Sequence, residues 1–540
     1  MVGNLLFGLA VSCGPGKAPG DSGGAPEARP PAPAVAPGAP VLRRLTRAQY
    51  DASIDDLLGP GLVLPAALEP DHEESGLAVV GAGVGAVSAL GVERYEDAAL
   101  SLAGQVVADP ARRARVLSCT PEGPADAACA GTFAAETGAL FYRRPLLPAE
   151  VERVAAVVTA VGADAGDFDA GLELGLAALL QSPHFLYRVE HGTPDAADPA
   201  QRRLTGPELA TRLAFLLWGG PPDAPLLAAA AAGELATPEG RVAVAREMLD
   251  DRRAARGVRA LFTDLLHLDA LDTVEKDPLV YTHASPALAA AAREETLRVI
   301  ESLALDGEAD FLSLLSLEST FVDRRLAALY GLPAPDIDGW GAVALSREGG
   351  RRGLLGHASI LLLESHATRS SATMRGVFVR KTLLCQVIPP PPADVDTSLP
   401  EGSVDAPTLR ERIAPHLEDP TCAGCHRLTD PIGLGLETFD GVGRFRSTEN
   451  GASIDASGEL DGRAFADAWG LASAVRGHPN LGPCMVTHLY EAATGRVLAA
   501  GEAPLRDWLA DGFSAGGNVW SALLLDLIAS PGFDRVGALE

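Results

Sequence analysis

The chain has 540 residues, a formal net charge of −27 and a pI near 4.8. Acidity on that scale removes the positive footprint of a phosphate-backbone binder, so nucleic acid is not an expected partner. Hydrophobic residues make up 47% and aromatic residues only 5%, which supplies three or four domains with cores of Ala, Leu and Val and excludes a long aromatic sugar cleft. Small side chains let helices pack closely, so the expected fold class is mainly α, in several helical domains.

Residues 1–13, MVGNLLFGLAVSC, form an apolar run that ends in small residues and a cysteine. It reads as the end of a lipoprotein signal with Cys13 as the lipidated residue, although no Lys or Arg precedes the run. The run is too short to span a bilayer. Residues 14–40 are dominated by Gly, Pro and Ala and read as a flexible tether. The expected location is the periplasm or cell surface, lipid-anchored, with plain secretion as the alternative. Membrane contact is expected only through the lipid.

A first helical domain spans 41–130. Thr46 and Gln49 stand at capping-box spacing, with Leu45 and Tyr50 placed as a hydrophobic staple. The helix that follows ends at Gly59-Pro60. Cys119 and Cys129 lie ten residues apart across Pro121, Gly123 and Pro124, a turn-rich loop that a disulfide could close. In the second domain, 131–200, Pro148 opens a helix through Val151, Val154, Val157 and Val158. The third, 201–335, repeats the box at Thr205 and Glu208, with Leu204 and Leu209 as staple. Ser285-Pro286 starts another helix, on which Glu294, Glu295 and Arg298 read as solvent-facing.

The block 340–450 opens with Arg351 to His357, passes His366 and Arg375-Gly376, and has a helix ending at Cys385. Pro389 to Pro392 is stiff and extended and leads toward a short helix over 408–417. A last helical domain spans 460–540. No G-x-G-x-x-G or Walker pattern occurs. Cys385 and Cys484 flank this region and form a second expected disulfide in an oxidising compartment, free thiols being the alternative.

Within it stands Cys422-Ala-Gly-Cys425-His426. C-x-x-C-H reads as a c-type haem attachment site. Two thiols two residues apart can each add to a haem vinyl group, and the adjacent imidazole supplies the proximal ligand. The competing readings are a short Cys422–Cys425 disulfide and half of a zinc site, for which no second pair follows. After the motif, Asp430-Pro431-Ile432-Gly433 reads as a turn. Leu434, Leu436 and Phe439 supply apolar surface. Arg444 and Arg446 either reach haem propionates or form a solvated face. For the sixth iron position the options are Met485, 59 residues after His426, and His366, His478 or His488. Core packing is the competing reading for Met485, and the ligand stays unassigned.

Several stretches together resemble a known family. These are Arg43 to Tyr50 with Asp56 to Gly59, Phe141 to Leu146, Ser182 to Arg188, Phe321 to Asp323 with Leu326 to Gly331, Arg375-Gly376 with Pro389 to Pro392, the run from Cys422 to Arg446, and Thr494-Gly495-Arg496. They are similar to large secreted bacterial proteins, known mainly from planctomycetes and myxobacteria, built of five consecutive domains of unknown function. The resemblance implies a cytochrome-c-like extracytoplasmic protein and no particular reaction. With the motif, it points to one covalent haem c and electron transfer with a redox partner protein. The alternatives are a haem-free binding or scaffold protein recognising a protein or polysaccharide, and an oxidase or peroxidase. A second C-x-x-C-H, which a dihaem peroxidase needs, is absent.

Overall fold

Helix starts follow the local chemistry read from the sequence. Thr46 and Gln49 form a reciprocal capping box on the helix Arg47–Leu58, and Thr205 and Glu208 form another on Gly206–Leu217. Pro148 opens Pro148–Ala165, and Ser285 caps Pro286–Ala304 by accepting from the Leu288 amide. The computed structural model describes residues 29–64, 68–335, 339–389 and 405–539. Among them are 22 α-helices and only short strands, so the fold is mainly α. No helix among the described residues is long and apolar enough to cross a membrane. Cys13, the first part of the expected tether and Pro390 to Pro392 lie outside the described residues.

The helical blocks share two main cores. One gathers the first two blocks around Tyr50, Leu102, Phe133 and Phe185, and Phe215 of the third block inserts into it. The other is continuous from the third block to the C-terminus, from Leu213 and Phe262 through Leu361 and Phe439 to Tyr490 and Trp520. Short strands tie the blocks together. Arg43–Arg44 pairs antiparallel with Tyr187–Arg188, and Gln201–Arg203 lies between Thr193–Pro194 and the C-terminal Arg535–Gly537. Behind the first ladder, buried Glu190 meets Arg43, Arg188 and Arg212. Burial alone would raise its pKa, but Arg212, Arg43 and Arg188 hold it down to about 2.

Two expected disulfides are present, Cys119–Cys129 and Cys385–Cys484, with Cα–Cα separations of 5.7 and 5.3 Å. Three other expectations change. Residues 29–40, composed like a tether, pack on the C-terminal helices. The Arg29 guanidinium lies 3.3 Å from the Trp508 ring centroid, the Trp508 indole donates to the Pro30 carbonyl at 2.8 Å, and Val35 is buried. An extended segment without a core of its own is ordered here by its partner's aromatic and carbonyl groups. Glu295 does not face solvent. It is fully buried and accepts from Thr320 Oγ1 at 2.8 Å and Tyr330 Oη at 2.5 Å. Burial pushes its pKa up to about 7. Asp430 to Gly433 is no turn but the last turn of the helix Pro420–Gly433. Close packing against a neighbouring helix overrides the local preference of its proline.

Candidate functional site

Two helices build the site as a hairpin. Thr408 and Glu411 form a capping box on Leu409–Glu418. Asp419 then caps Pro420–Gly433, accepting from the Thr421 amide at 2.7 Å, with Pro420 at the first helical position, where no N–H partner is needed. On this second helix Cys422, Cys425 and His426 stand at i, i+3 and i+4 and share one face. All three are half-buried. Cys422 and Cys425 are free thiols, whereas the other four described cysteines are in disulfides. The Cys425 thiol donates to the Pro389 carbonyl at 3.0 Å, so the start of the proline run reaches the motif.

The imidazole is held from one side. His426 Nδ1 lies 2.7 Å from Asp430 Oδ2, one helical turn on, and Asp430 is fully buried. Thr373 Oγ1 donates to the other carboxylate oxygen at 2.8 Å. Thr429 Oγ1 lies 3.2 Å from both that oxygen and the Cys425 carbonyl. An ionised carboxylate can only accept, so the contact suits an Nδ1–H donor and turns Nε2 away from Asp430.

Thr373 reaches Asp430 because two helices cross without side chains between them. A Cβ on Gly376 would lie 2.0 Å from the Thr429 carbonyl oxygen, and one on Gly433 would lie 1.8 Å from that of Ala372. The neighbouring Arg375 is fully buried and clamps the chain beyond the helix. It donates to the carbonyls of Leu436, Phe439 and Asp440 at 2.8, 3.0 and 2.9 Å, and to Glu437 at 3.2 Å.

Residues expected to surround a haem have other partners. Leu434 packs with Ala372, Leu409 and Ile413, while Leu436 and Phe439 belong to the large core. Arg446 donates to Glu437 at 2.9 Å and Ser370 at 3.1 Å, and buried Glu437 supplies the anion it needs. Arg444 is exposed. Met485 is buried among Phe262, Leu265 and Leu481, its core-packing reading. His366 is exposed. His478 Nε2 lies 3.0 Å from Asp461. His488 Nε2 lies 3.0 Å from the Thr382 carbonyl and 3.4 Å from both sulfurs of the Cys385–Cys484 disulfide, whose bonded state removes them as metal ligands.

The described partners of the His426 ring are Asp430, Thr373 and His416, whose ring centroid is 4.7 Å away. His416 carries no signal in the sequence. It precedes His426 by ten residues on another helix, and only the hairpin brings them together. Its Nδ1 is buried without a hydrogen-bond partner. Asp430-Pro431 has the local look of a turn, although the i+4 spacing of Asp430 from His426 signals the pair.

Four family models match the chain in order: PSD3 (DUF1587) over 43–108, PSD5 (DUF1595) over 129–190, PSD4 (DUF1592) over 204–332 and PSCyt3 (DUF1588) over 351–449. Each is a protein family of unknown function. These matches are consistent with a planctomycete-type multi-domain protein, and the stretch Thr494 to Arg496 lies beyond them. The C-x-x-C-H helix falls inside the PSCyt3 segment, whose name hints at a cytochrome-like domain. No curated protein and no solved structure matches the chain.

The donor set fits a c-type haem. Two unpaired cysteines on one helix face stand beside an imidazole whose Nδ1 is engaged by Asp430, which leaves Nε2 to ligate.

Proposed function

We propose that this chain is an extracytoplasmic c-type monohaem protein that passes electrons to or from a partner oxidoreductase. One observation carries the reading: Cys422 and Cys425 stand unpaired beside His426 in a chain whose other described cysteines are paired. A bound haem supplies one-electron redox chemistry. Cys422 and Cys425 would hold it by thioethers, and His426 would present Nε2 to the metal. Asp430 and Thr373 fix the ring, and the disulfide Cys385–Cys484 staples the segment before the motif to the helix Leu481–Thr494 of the last block. Cys13 would anchor the mature chain through lipid, which mass spectrometry of detergent-extracted protein would show as a diacylglyceryl-modified N-terminus.

The test is expression of the full chain with a cytochrome c maturation system, followed by a reduced-minus-oxidised spectrum and a pyridine haemochrome. A c-type haemochrome at one haem per chain is expected. A colourless, folded chain with both thiols free would favour the second reading, a haem-free binding protein. That reading has its own observation. The stretches Phe141 to Leu146 and Ser182 to Arg188 converge on a cavity of about 220 Å³ lined by Tyr142, Arg144, His184 and Tyr187.

A further inference from the structure

We infer that Asp430 is the positioning residue of the haem site: its buried carboxylate keeps the proton on Nδ1 of His426, presents Nε2 for ligation and strengthens it as an electron donor, with Thr373 setting by how much. This rests on the haem reading above. The geometry is a relay of two short contacts, His426 Nδ1 to Asp430 Oδ2 at 2.7 Å and Thr373 Oγ1 to Asp430 Oδ1 at 2.8 Å. Asp430 is fully buried, so water does not compete for its oxygens. The one-turn spacing on a regular helix fixes the first contact. The close crossing at Gly376 and Gly433 fixes the second.

An outer partner of this kind sets the tautomer of a metal-binding imidazole and raises its basicity. A charged acceptor does so more strongly than a neutral carbonyl, because the charge-assisted bond draws the Nδ1 proton away from the ring. The electron density left on Nε2 stabilises the ferric state over the ferrous, so the haem is held at a lower potential than a neutral acceptor would give.

Two near-isosteric variants should move the potential in opposite directions. Asp430→Asn keeps an oxygen near Nδ1 but removes the charge, which weakens the acceptor and shifts the potential positive. Thr373→Val removes one donor from the carboxylate, which leaves more of its charge for His426 and shifts the potential negative. A loosened fold would not produce opposite signs. Spectroelectrochemical titration of the haem-loaded full chain and both variants reads this out. A second readout needs no haem. Long-range ¹H–¹⁵N correlation on full-length chain labelled with [¹⁵N]histidine, made without the maturation system, should show His426 as the Nδ1–H tautomer. In Asp430→Asn the Nε2–H tautomer should gain population. Potentials that stay put or move the same way in both variants, or an Nε2–H tautomer in the unsubstituted chain, would overturn the inference. A chain that takes up no haem overturns the haem reading instead, and the tautomer then decides the role of Asp430 alone.

Discussion

Gly376→Ala tests the helix crossing on which the site geometry depends. The new Cβ would sit 2.0 Å from the Thr429 carbonyl oxygen and 2.8 Å from the Thr429 Cα. Ordinary contact begins near 3.5 Å, so the helices Ala372–Phe378 and Pro420–Gly433 must part by roughly 1.5 Å. The obstacle is backbone and cannot rotate away. Overpacking of this kind costs about 1–3 kcal/mol, against about 1 kcal/mol gained from replacing a helical glycine. The net expectation is a loss of about 1 kcal/mol, together with the 2.8 Å bond from Thr373 to Asp430. Gly424→Ala is the matched control, because a Cβ there meets nothing within 4 Å on the same helix. Pulsed alkylation of Cys422 and Cys425 against urea, read by mass spectrometry on haem-free chain, follows this region directly. Gly376→Ala should lose thiol protection at lower urea than the unsubstituted chain, and Gly424→Ala at equal or higher urea. Equal midpoints for the two variants would refute the close-crossing argument.

Other outcomes follow from single features. Glu295 is raised by burial to about 7 from 4.5, so between those values the unfolded chain releases a proton that the native chain keeps. Stability should therefore be greatest below pH 4.5 in this term, fall as pH rises and level off above about 7, a span of roughly 3 kcal/mol. Glu295→Gln should flatten that part of the stability–pH curve in urea titrations from pH 4.5 to 8. Replacing Cys385 and Cys484 by serine opens a 99-residue separation and should cost about 2–5 kcal/mol, seen as a lower urea midpoint. Arg375→Lys should not preserve stability. An ammonium cannot serve the three carbonyls and Glu437 that the planar fork serves, and a loss of about 2–4 kcal/mol in the same titration is expected.

Features set by near neighbours were legible in the sequence. Capping boxes at Thr46 and Thr205, the proline-opened helix at Pro148 and the motif Cys422 to His426 each rest on residues within one helical turn. Features set by distant partners were not. Nothing near Glu295 announces that Thr320 and Tyr330 will cover it. Asp430-Pro431 looks like a turn until the helix carrying Gly376 is laid across it. The Pro-rich segment 29–40 has no core of its own, and its order comes from Trp508 and Gly501, more than 450 residues away in sequence. Local pattern points the apolar residues after the motif toward a haem, whereas the shared core claims Leu436 and Phe439. His416 was invisible for a related reason, since its neighbour His426 lies across a hairpin.

The most direct measurement is mass spectrometry of the tryptic peptide Ile413–Arg427 from chain matured with a cytochrome c assembly system. One haem should be found on that peptide, resistant to denaturation. It should persist in either Cys422→Ala or Cys425→Ala with a single thioether and vanish when both are replaced. His426→Ala should retain covalent haem with an altered spectrum, because the axial imidazole is gone. A peptide with both thiols alkylated and no haem, from a chain with both disulfides formed, would contradict the account.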